Sequence, residues 1–297
     1  MLSILIPTYN YDCSRLVRDL QAQAEQAGID YEIIIADDAS PIYIYKERNR
    51  EINTLPHCRL IELEENIGRA RIRNRLADEA SRPWLLFMDC DAEIIDGHFI
   101  ANYISQLQSD VICGGLCHAD TLPSPEVSLR YAYEKRADKR RAAYYRKKEP
   151  YERFTPFNFV IRRDIFQSIR FDERITEYGH EDTLFGIALK ERSANIHHID
   201  NPLRHVGLES NELFLEKTRK ALHNLEKMEP AMQGHSSLLK IYNLLYRLKM
   251  VKGVAMWFDK HEQKLTRQLT STAPRLANFF LYKLGYYCAT KRKREQE

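Results

Sequence analysis

The sequence predicts a doubly wound α/β domain followed by a helical extension. Short apolar runs alternate three times with amphipathic stretches in the first third of the chain. Beyond about Pro230 the apolar spacing becomes purely helical. The chain has 297 residues, 44% hydrophobic and 29% charged, which suits one large globular domain with or without an appendage. That composition excludes a disordered, collagenous or disulfide-scaffold chain. Lysine and arginine number 45 against 42 acidic residues, a balance too small to mark a nucleic-acid partner. The six cysteines are scattered and form no C-x-x-C pair, as expected of reduced thiols in the cytoplasm. No apolar run approaches 18 residues, so neither a signal peptide nor a membrane span is expected.

Taken in order, residues 2–6 read as a strand stopped by Pro7, and Leu16, Leu20, Ala24 and Ala27 give the helix after it. Residues 31–36 contain three consecutive isoleucines, a continuous β-branched run that suits a parallel strand buried on both faces. A third strand is expected at 59–63, a helix at 68–80 and a fourth strand at 83–88, ending at Asp89-Cys90-Asp91. Further strands are expected at 111–116, 157–162 and 195–199, with a helix opened by Asp182 before the last. The change of period places a domain boundary near 230, separating residues 1–230 from a helical extension, 231–297, that ends in a basic tail. In doubly wound sheets ligands bind beyond the carboxyl ends of the strands. Three of those ends carry Thr8 and Asn10, Asp37 and Asp38, and Asp89 and Asp91.

Asp89 and Asp91, two apart at a strand end, project to one side, and two hard oxygens there suit Mg2+ or Mn2+ shared with phosphate oxygens. Asp37-Asp38 reads either as a turn or as an acceptor for a base N–H or ribose hydroxyl. Asn66, Gly68, Arg69 and Arg73 open a helix, and a helix N-terminus with arginines favours an anion such as a diphosphate. Glu181 and Asp182 open another helix, where acidic residues serve as caps or dipole partners, or where one carboxylate takes a proton from a hydroxyl nucleophile. His205 is a candidate third metal ligand, with His197 and His198 as competitors.

These residues together resemble the inverting family 2 glycosyltransferases of GT-A fold. The resemblance rests on 4–10 (ILIPTYN), 33–40 (IIIADDAS), 66–74 (NIGRARIRN), 87–91 (FMDCD), and 171–173 (FDE) running on to 179–182 (GHED). It spans roughly residues 1–210. It implies a Rossmann-like mixed sheet flanked by helices and an inverting transfer from a nucleotide-diphosphate sugar, expected to be a UDP-sugar. The acceptor would be a hydroxyl of a glycan or lipid-linked glycan, and the transferred group a hexosyl or N-acetylhexosaminyl unit. Pro7, Thr8, Asn10, Asp37, Asp38, Asn66, Gly68, Arg69, Arg73 and Asp89 would then hold the donor, with Asp91 and His205 on the Mn2+ or Mg2+. Asp182 would be the general base, with Glu181 orienting the acceptor. The sequence departs from the family's common pattern in two places: Ala39 where glycine is common, and Gly179-His180 ahead of the acidic pair where aromatic residues are frequent.

The rival classes are a haloacid dehalogenase-like phosphatase, a nucleotidyltransferase, and a non-catalytic nucleotide-sugar-binding or scaffold protein of a polysaccharide assembly system. Ala92-Glu93 after the acidic pair and the absence of a glycine-rich loop at 7–10 argue against the first two. Residues 130–153 hold ten basic and four acidic residues, a net of +6. They read as a solvated charged helix, with a mobile acceptor-side loop as the functional alternative. Leu276, Phe279, Phe280, Leu284 and Tyr287 form the apolar face of the last helix. With Lys283 and the basic tail they suggest a peripheral contact of 275–297 with an anionic membrane at its cytoplasmic face.

Overall fold

The computed structural model describes residues 1–175 and 179–294. The strands are β1 Leu2–Thr8, β2 Tyr31–Asp37, β3 Cys58–Glu62, β4 Trp84–Met88, β5 Ala92–Glu93, β6 Val111–Cys113, β7 Leu116–Cys117, β8 Asn158–Arg162, β9 Ile196–His198 and β10 Leu203–His205. The helices are α1 Ser14–Gln26, α2 Tyr43–Arg50, α3 Arg69–Glu79, α4 Phe99–Ile104, α5 Ser128–Asp138, α6 Ala143–Arg146, α7 Arg163–Ile169 and α8 Glu181–Glu191. Five more follow: α9 Asn211–Lys227, α10 Glu229–Met232, α11 Ser237–Arg247, α12 Val251–Leu269 and α13 Leu276–Arg294. They pack as two compact units. One comprises Met1–His118, Asp138–Thr176 and Glu181–Gly207; the other Ala119–Ala137, Glu177–His180 and Leu208–Glu297.

The first unit is built on a seven-stranded sheet in the order β3-β2-β1-β4-β8-β6-β9. The first four strands are parallel, β8 runs antiparallel between β4 and β6, and β9 returns parallel to β6. The continuous apolar runs of β1, β2 and β4 are buried on both faces because helices cover both. Leu16, Val17 and Leu20 of α1 and Phe99 and Tyr103 of α4 fill one side. Ala70 and Leu76 of α3, Phe166 of α7 and Phe185 and Leu189 of α8 fill the other.

The single strand expected at 111–116 is two strands in different sheets. Gly114 admits no side chain, because a Cβ there would strike the Tyr103 hydroxyl and the Asn158 amide, and Gly115 takes a φ of +89°. The chain turns at this pair, leaves the large sheet, and β7 joins a three-stranded sheet, β5-β10-β7.

Residues 130–153 do not form one solvated helix. α5 ends at Asp138, and α6 carries Arg146 into the interior. Its guanidinium donates to the carbonyls of Arg141, Cys113, Gly114 and Ile199 and to His198 Nδ1 at 2.7 Å. His198 Nε2 in turn lies 2.9 Å from the Pro150 carbonyl. A carbonyl accepts only, so Nε2 carries the proton and Nδ1 receives Arg146. Burial and the adjacent guanidinium push the His198 pKa down to about 4, which keeps the ring neutral.

In the second unit α5 is joined by the helices that run from Asn211, where α9 is capped by Ser210, whose hydroxyl accepts the Leu213 N–H. The last division between the units falls at 207–208, and Pro230 lies in the first turn of the short α10. Phe279, Tyr282, Tyr287 and Cys288 bury the inner face of α13, and Phe280 stays exposed. Three of the four basic residues of the tail are paired: Lys291 with Glu229 at 2.6 Å, Arg292 with Asp259 at 2.5 Å and Arg294 with Glu226 at 3.5 Å. Residues 295–297 of the expected membrane segment lie outside the described residues. Among the described helices none is long and apolar enough to cross a membrane.

Candidate functional site

Two acidic pairs of the first unit, Asp37-Asp38 and Asp89/Asp91, lie at the carboxyl ends of β2 and β4, the strands on either side of β1. Asp38, just past β2, accepts the backbone N–H groups of Ile67 at 2.7 Å and Gly68 at 3.0 Å, and Asn66 donates to the Asp38 carbonyl. Burial raises the Asp38 pKa, the negative charge of neighbouring Asp37 adds to the rise, and the two N–H donors do not bring it back to its ordinary value. This clamp fixes the loop from which α3 starts. α3 then places Arg73, which is 1% exposed, under Asp89 with a 2.5 Å contact to Oδ1. The Arg73 guanidinium also lies 5.5 Å from the centre of the Phe171 ring. Arg69, one turn earlier and half-exposed, reaches Asp89 at 3.5 Å and Glu181 at 3.6 Å. Burial acts to raise the Asp89 pKa, but Arg73 and Arg69 outweigh it and hold the carboxyl below its ordinary value.

Glu181 and Asp182 occupy the first turn of α8. That helix is anchored behind them by Phe185, which stacks on Phe171 with ring centres 4.3 Å apart and joins a cluster with Phe87, Phe154, Phe159 and Phe166. Asn74 of α3 ties the intervening loop down: its amide donates to the Phe171 carbonyl and to Glu173, and accepts the Phe171 N–H. Asp182 is half-buried and accepts the Thr183 N–H at 2.7 Å.

Asp91 has a different neighbour. β10 pairs antiparallel with β5, with His205 opposite Ala92, and this register carries His205 Nε2 to 3.1 Å from Asp91. The Val206 N–H donates to the Asp91 carbonyl, and Gly207 passes so close that a Cβ would overlap the Asp91 carboxylate. Phe157 and His118 meet the His205 ring edge-on, at 5.3 and 5.8 Å between ring centres. His118 Nδ1 lies 2.9 Å from Asp138. Burial and the negative charge of Asp91 push the Tyr11 hydroxyl up to about 12, so it remains a donor.

The loops after β1 and β2 are knitted together. Asn10, in the left-handed region at φ 53°, donates its N–H to Ser40 Oγ, and its side chain accepts the Ile42 N–H. Asp37 accepts both the N–H and the hydroxyl of Ser40. Thr8 donates to the Tyr11 carbonyl, and Pro7 lies half-buried opposite Ala36.

The structure gives the expected residues different surroundings. Asp89 and Asp91 lie just past β4 and not on it, and they face different partners. Arg73 is buried under Asp89 and presents no face to an anion. Asp37 closes a turn, and Asp38 holds backbone. Arg69, Asp89, Glu181, Asp91 and His205 keep side chains in the constellation, and Asp182 adjoins it. Sequence reasoning passed over Tyr11, His118 and Phe157, none of which stands in a recognisable spacing, and gave no role to Asn74, which closes the 66–74 motif. As a donor set, a carboxylate oxygen beside an imidazole nitrogen fits a divalent ion, and fits Mn2+ better than the strictly oxygen-seeking Mg2+.

A profile of glycosyl transferase family 2 matches residues 3–170, more than half of the chain. The chain belongs to that family. This family 2 glycosyltransferase is 26% identical over 185 residues to a teichoic acid poly(glycerol phosphate) polymerase of Staphylococcus epidermidis. The match covers 60% of the chain, and the chain spans 24% of that relative. Among solved structures it is similar to the mannosyltransferase PcManGT of Pyrobaculum calidifontis in complex with GDP-Man and Mn2+. The TM-score is 0.57 at 13% identity, over 100% of this chain and 88% of that one. It is also similar to S. aureus TarS 1–349 in complex with UDP-GlcNAc, with a TM-score of 0.52 at 16% identity over 100% and 92% of the two chains. The seven-stranded mixed sheet flanked by helices is the GT-A fold of these enzymes.

Proposed function

We propose that the chain is an inverting, metal-assisted transferase that moves a hexosyl or N-acetylhexosaminyl unit from a nucleotide-diphosphate sugar to a hydroxyl of a glycan or lipid-linked glycan. The observation that carries this reading is the reach of Arg69 to both Asp89 and Glu181, which ties the first turn of α8 to the edge bearing Asp89 and Asp91. The donor lies along that edge, with Asp89 against the ribose and Arg69 near the diphosphate. UDP-sugars are the expected donors, with GDP-sugars the second class to test. The named activity of the S. epidermidis relative, a polymerase of poly(glycerol phosphate), favours an acceptor from polymer assembly.

Asp91 and His205 would hold the divalent ion, which would neutralise charge on the departing diphosphate. Asp182 takes the proton of the acceptor hydroxyl. The acceptor oxygen forms its bond to the anomeric carbon as the bond from that carbon to the phosphate oxygen breaks, and the electron pair leaves with the nucleoside diphosphate. Attack from the face opposite the leaving group inverts the anomeric configuration. Glu181, buried and paired with Arg69, keeps the start of α8 in register with the donor. Asp38, Arg73 and Asn74 act one step back, by fixing the loop, the Asp89 carboxylate and the Phe171 segment.

Nucleoside diphosphate release from UDP- and GDP-sugars, with candidate acceptors, tests the reading. Asp182→Asn lowers turnover by about 10²–10⁴-fold, the usual contribution of a general base, and leaves donor affinity within a few fold. Equal loss of both would remove Asp182 from the base role. Donor binding without transfer under every condition would move the chain to the non-catalytic scaffold class.

A further inference from the structure

α11 and α12 follow one another across a turn at residues 248–250. A surface helix needs one apolar stripe, turned to the core. α11 has two. Leu239 and Tyr242 are buried in the second unit. On the opposite side Ile241, Leu244 and Leu248, spaced i, i+3 and i+7, are 49%, 56% and 57% exposed. Met250, Met256 and Trp257 carry exposed apolar side chains through the turn into α12. Scattered exposed hydrophobics are ordinary, but a row of this kind marks a surface that meets something.

The charge around the row says what. From Ser236 to Phe258 the chain has no acidic residue, while Lys240, Arg247, Lys249 and Lys252 are all exposed. None of the four has an ion-pair partner among the described residues, in contrast with Lys291, Arg292 and Arg294 of α13. Lys240 and Arg247, seven residues apart, border the outward stripe along one side of α11.

We infer that the α11–α12 segment is a peripheral docking surface for an anionic lipid bilayer. Ile241, Leu244 and Leu248 enter the headgroup–acyl boundary, and the four cations lie on lipid phosphates. Trp257 sits at the interface, the depth that suits its amphipathic ring. A second copy of the chain would set the same unpaired cations against one another. A soluble polyanion would pair the cations and leave the apolar row in water. The contact expected of 275–297 is thereby assigned to 237–257, since α13 buries Phe279 and Tyr287 and pairs three of the four basic residues of its tail.

The test is co-sedimentation of the full chain with vesicles of phosphatidylcholine alone and of equal parts phosphatidylcholine and phosphatidylglycerol. The mixed vesicles bind, and the neutral ones bind far more weakly. Arg247→Gln with Lys249→Gln weakens binding about thirtyfold, as loss of two surface cations should. Leu244→Ser with Leu248→Ser also releases the protein, whereas Phe280→Ser in α13 does not. Trp257 emission shifts to the blue on binding, and Trp257→Phe removes the shift. All these positions are exposed, so a circular-dichroism melt confirms that each variant is folded. Absence of binding by folded protein, binding that the α11 variants leave intact, or a solution dimer that Leu244→Ser dissociates would overturn the inference.

Discussion

Asp89 and Asp91 are separated by one residue and live in opposite surroundings. Asp89 has two guanidinium groups against it, one of them fully buried, and is electrostatically complete within the protein. Asp91 has one histidine, and Gly207 where another residue would have placed a side chain. A D-x-D spacing treats the two carboxylates as equals, yet one is held by two arginines and the other has a neighbour that can share a cation with it. The distinction comes from which chain segments pass by: α3 under Asp89, and β10, a hundred residues away, beside Asp91.

This contrast can be broken by substitution. The largest effect on stability is expected at Arg73→Met, which leaves Asp89 buried and unpaired and costs about 3–5 kcal/mol in urea unfolding. Loss under 1 kcal/mol would mean that Asp89 does not depend on Arg73. Asp91→Asn leaves stability within about 1 kcal/mol but weakens Mn2+ binding, read by calorimetry, by at least about 10–100-fold. A metal affinity unchanged by Asp91→Asn and by His205→Gln would remove the metal from this pair.

Asp89 also differs in its response to pH from His198, the buried histidine that receives Arg146. His198 is held neutral, with its pKa lowered to about 4, so the folded state binds fewer protons than the unfolded chain between that value and its ordinary 6.5. Stability therefore falls as pH drops through this window, by up to about 1.4 kcal/mol per unit. The Asp89 carboxyl is depressed, so its contribution is complete above its unfolded pKa and is lost only as pH falls further, through its lower folded value. Unfolding midpoints measured across this range should show two separate losses, and Arg73→Met should abolish the lower one. The smallest effect on stability is expected at Arg69→Gln, within about 1 kcal/mol because the ion pair is half-exposed, while transfer falls.

The strands that carry the site were legible because β1, β2 and β4 are continuous β-branched or aromatic runs whose burial on both faces leaves one reading. The positions of Asp89, Asp91, Glu181 and Asp182 followed from that frame. Arg146 was not legible: it is one of ten basic residues in its segment, and its burial depends on the Gly114–Gly115 turn and on His198 from another strand. The burial of Arg73 was not legible because spacing on a helix gives a face but does not say whether that face meets solvent or a buried carboxylate. Tyr11 lies near Asp91 from the loop after β1, and His118 meets His205, neighbourhoods between distant segments that no local spacing announces. The outward row of α11 was not legible either, since helical spacing announces a helix and does not say how many of its faces meet water.

The central claim is that a nucleotide sugar binds along this edge with a divalent ion on Asp91 and His205. Thermal unfolding with UDP, GDP and their sugars, with and without Mn2+, for the native chain and Asp91→Asn, tests it without an acceptor. The account predicts a rise of about 5 °C at a hundredfold excess over Kd, for one nucleotide class, dependent on Mn2+ and absent in the variant. No rise with any nucleotide in folded protein, or the same metal-independent rise in both chains, would contradict it.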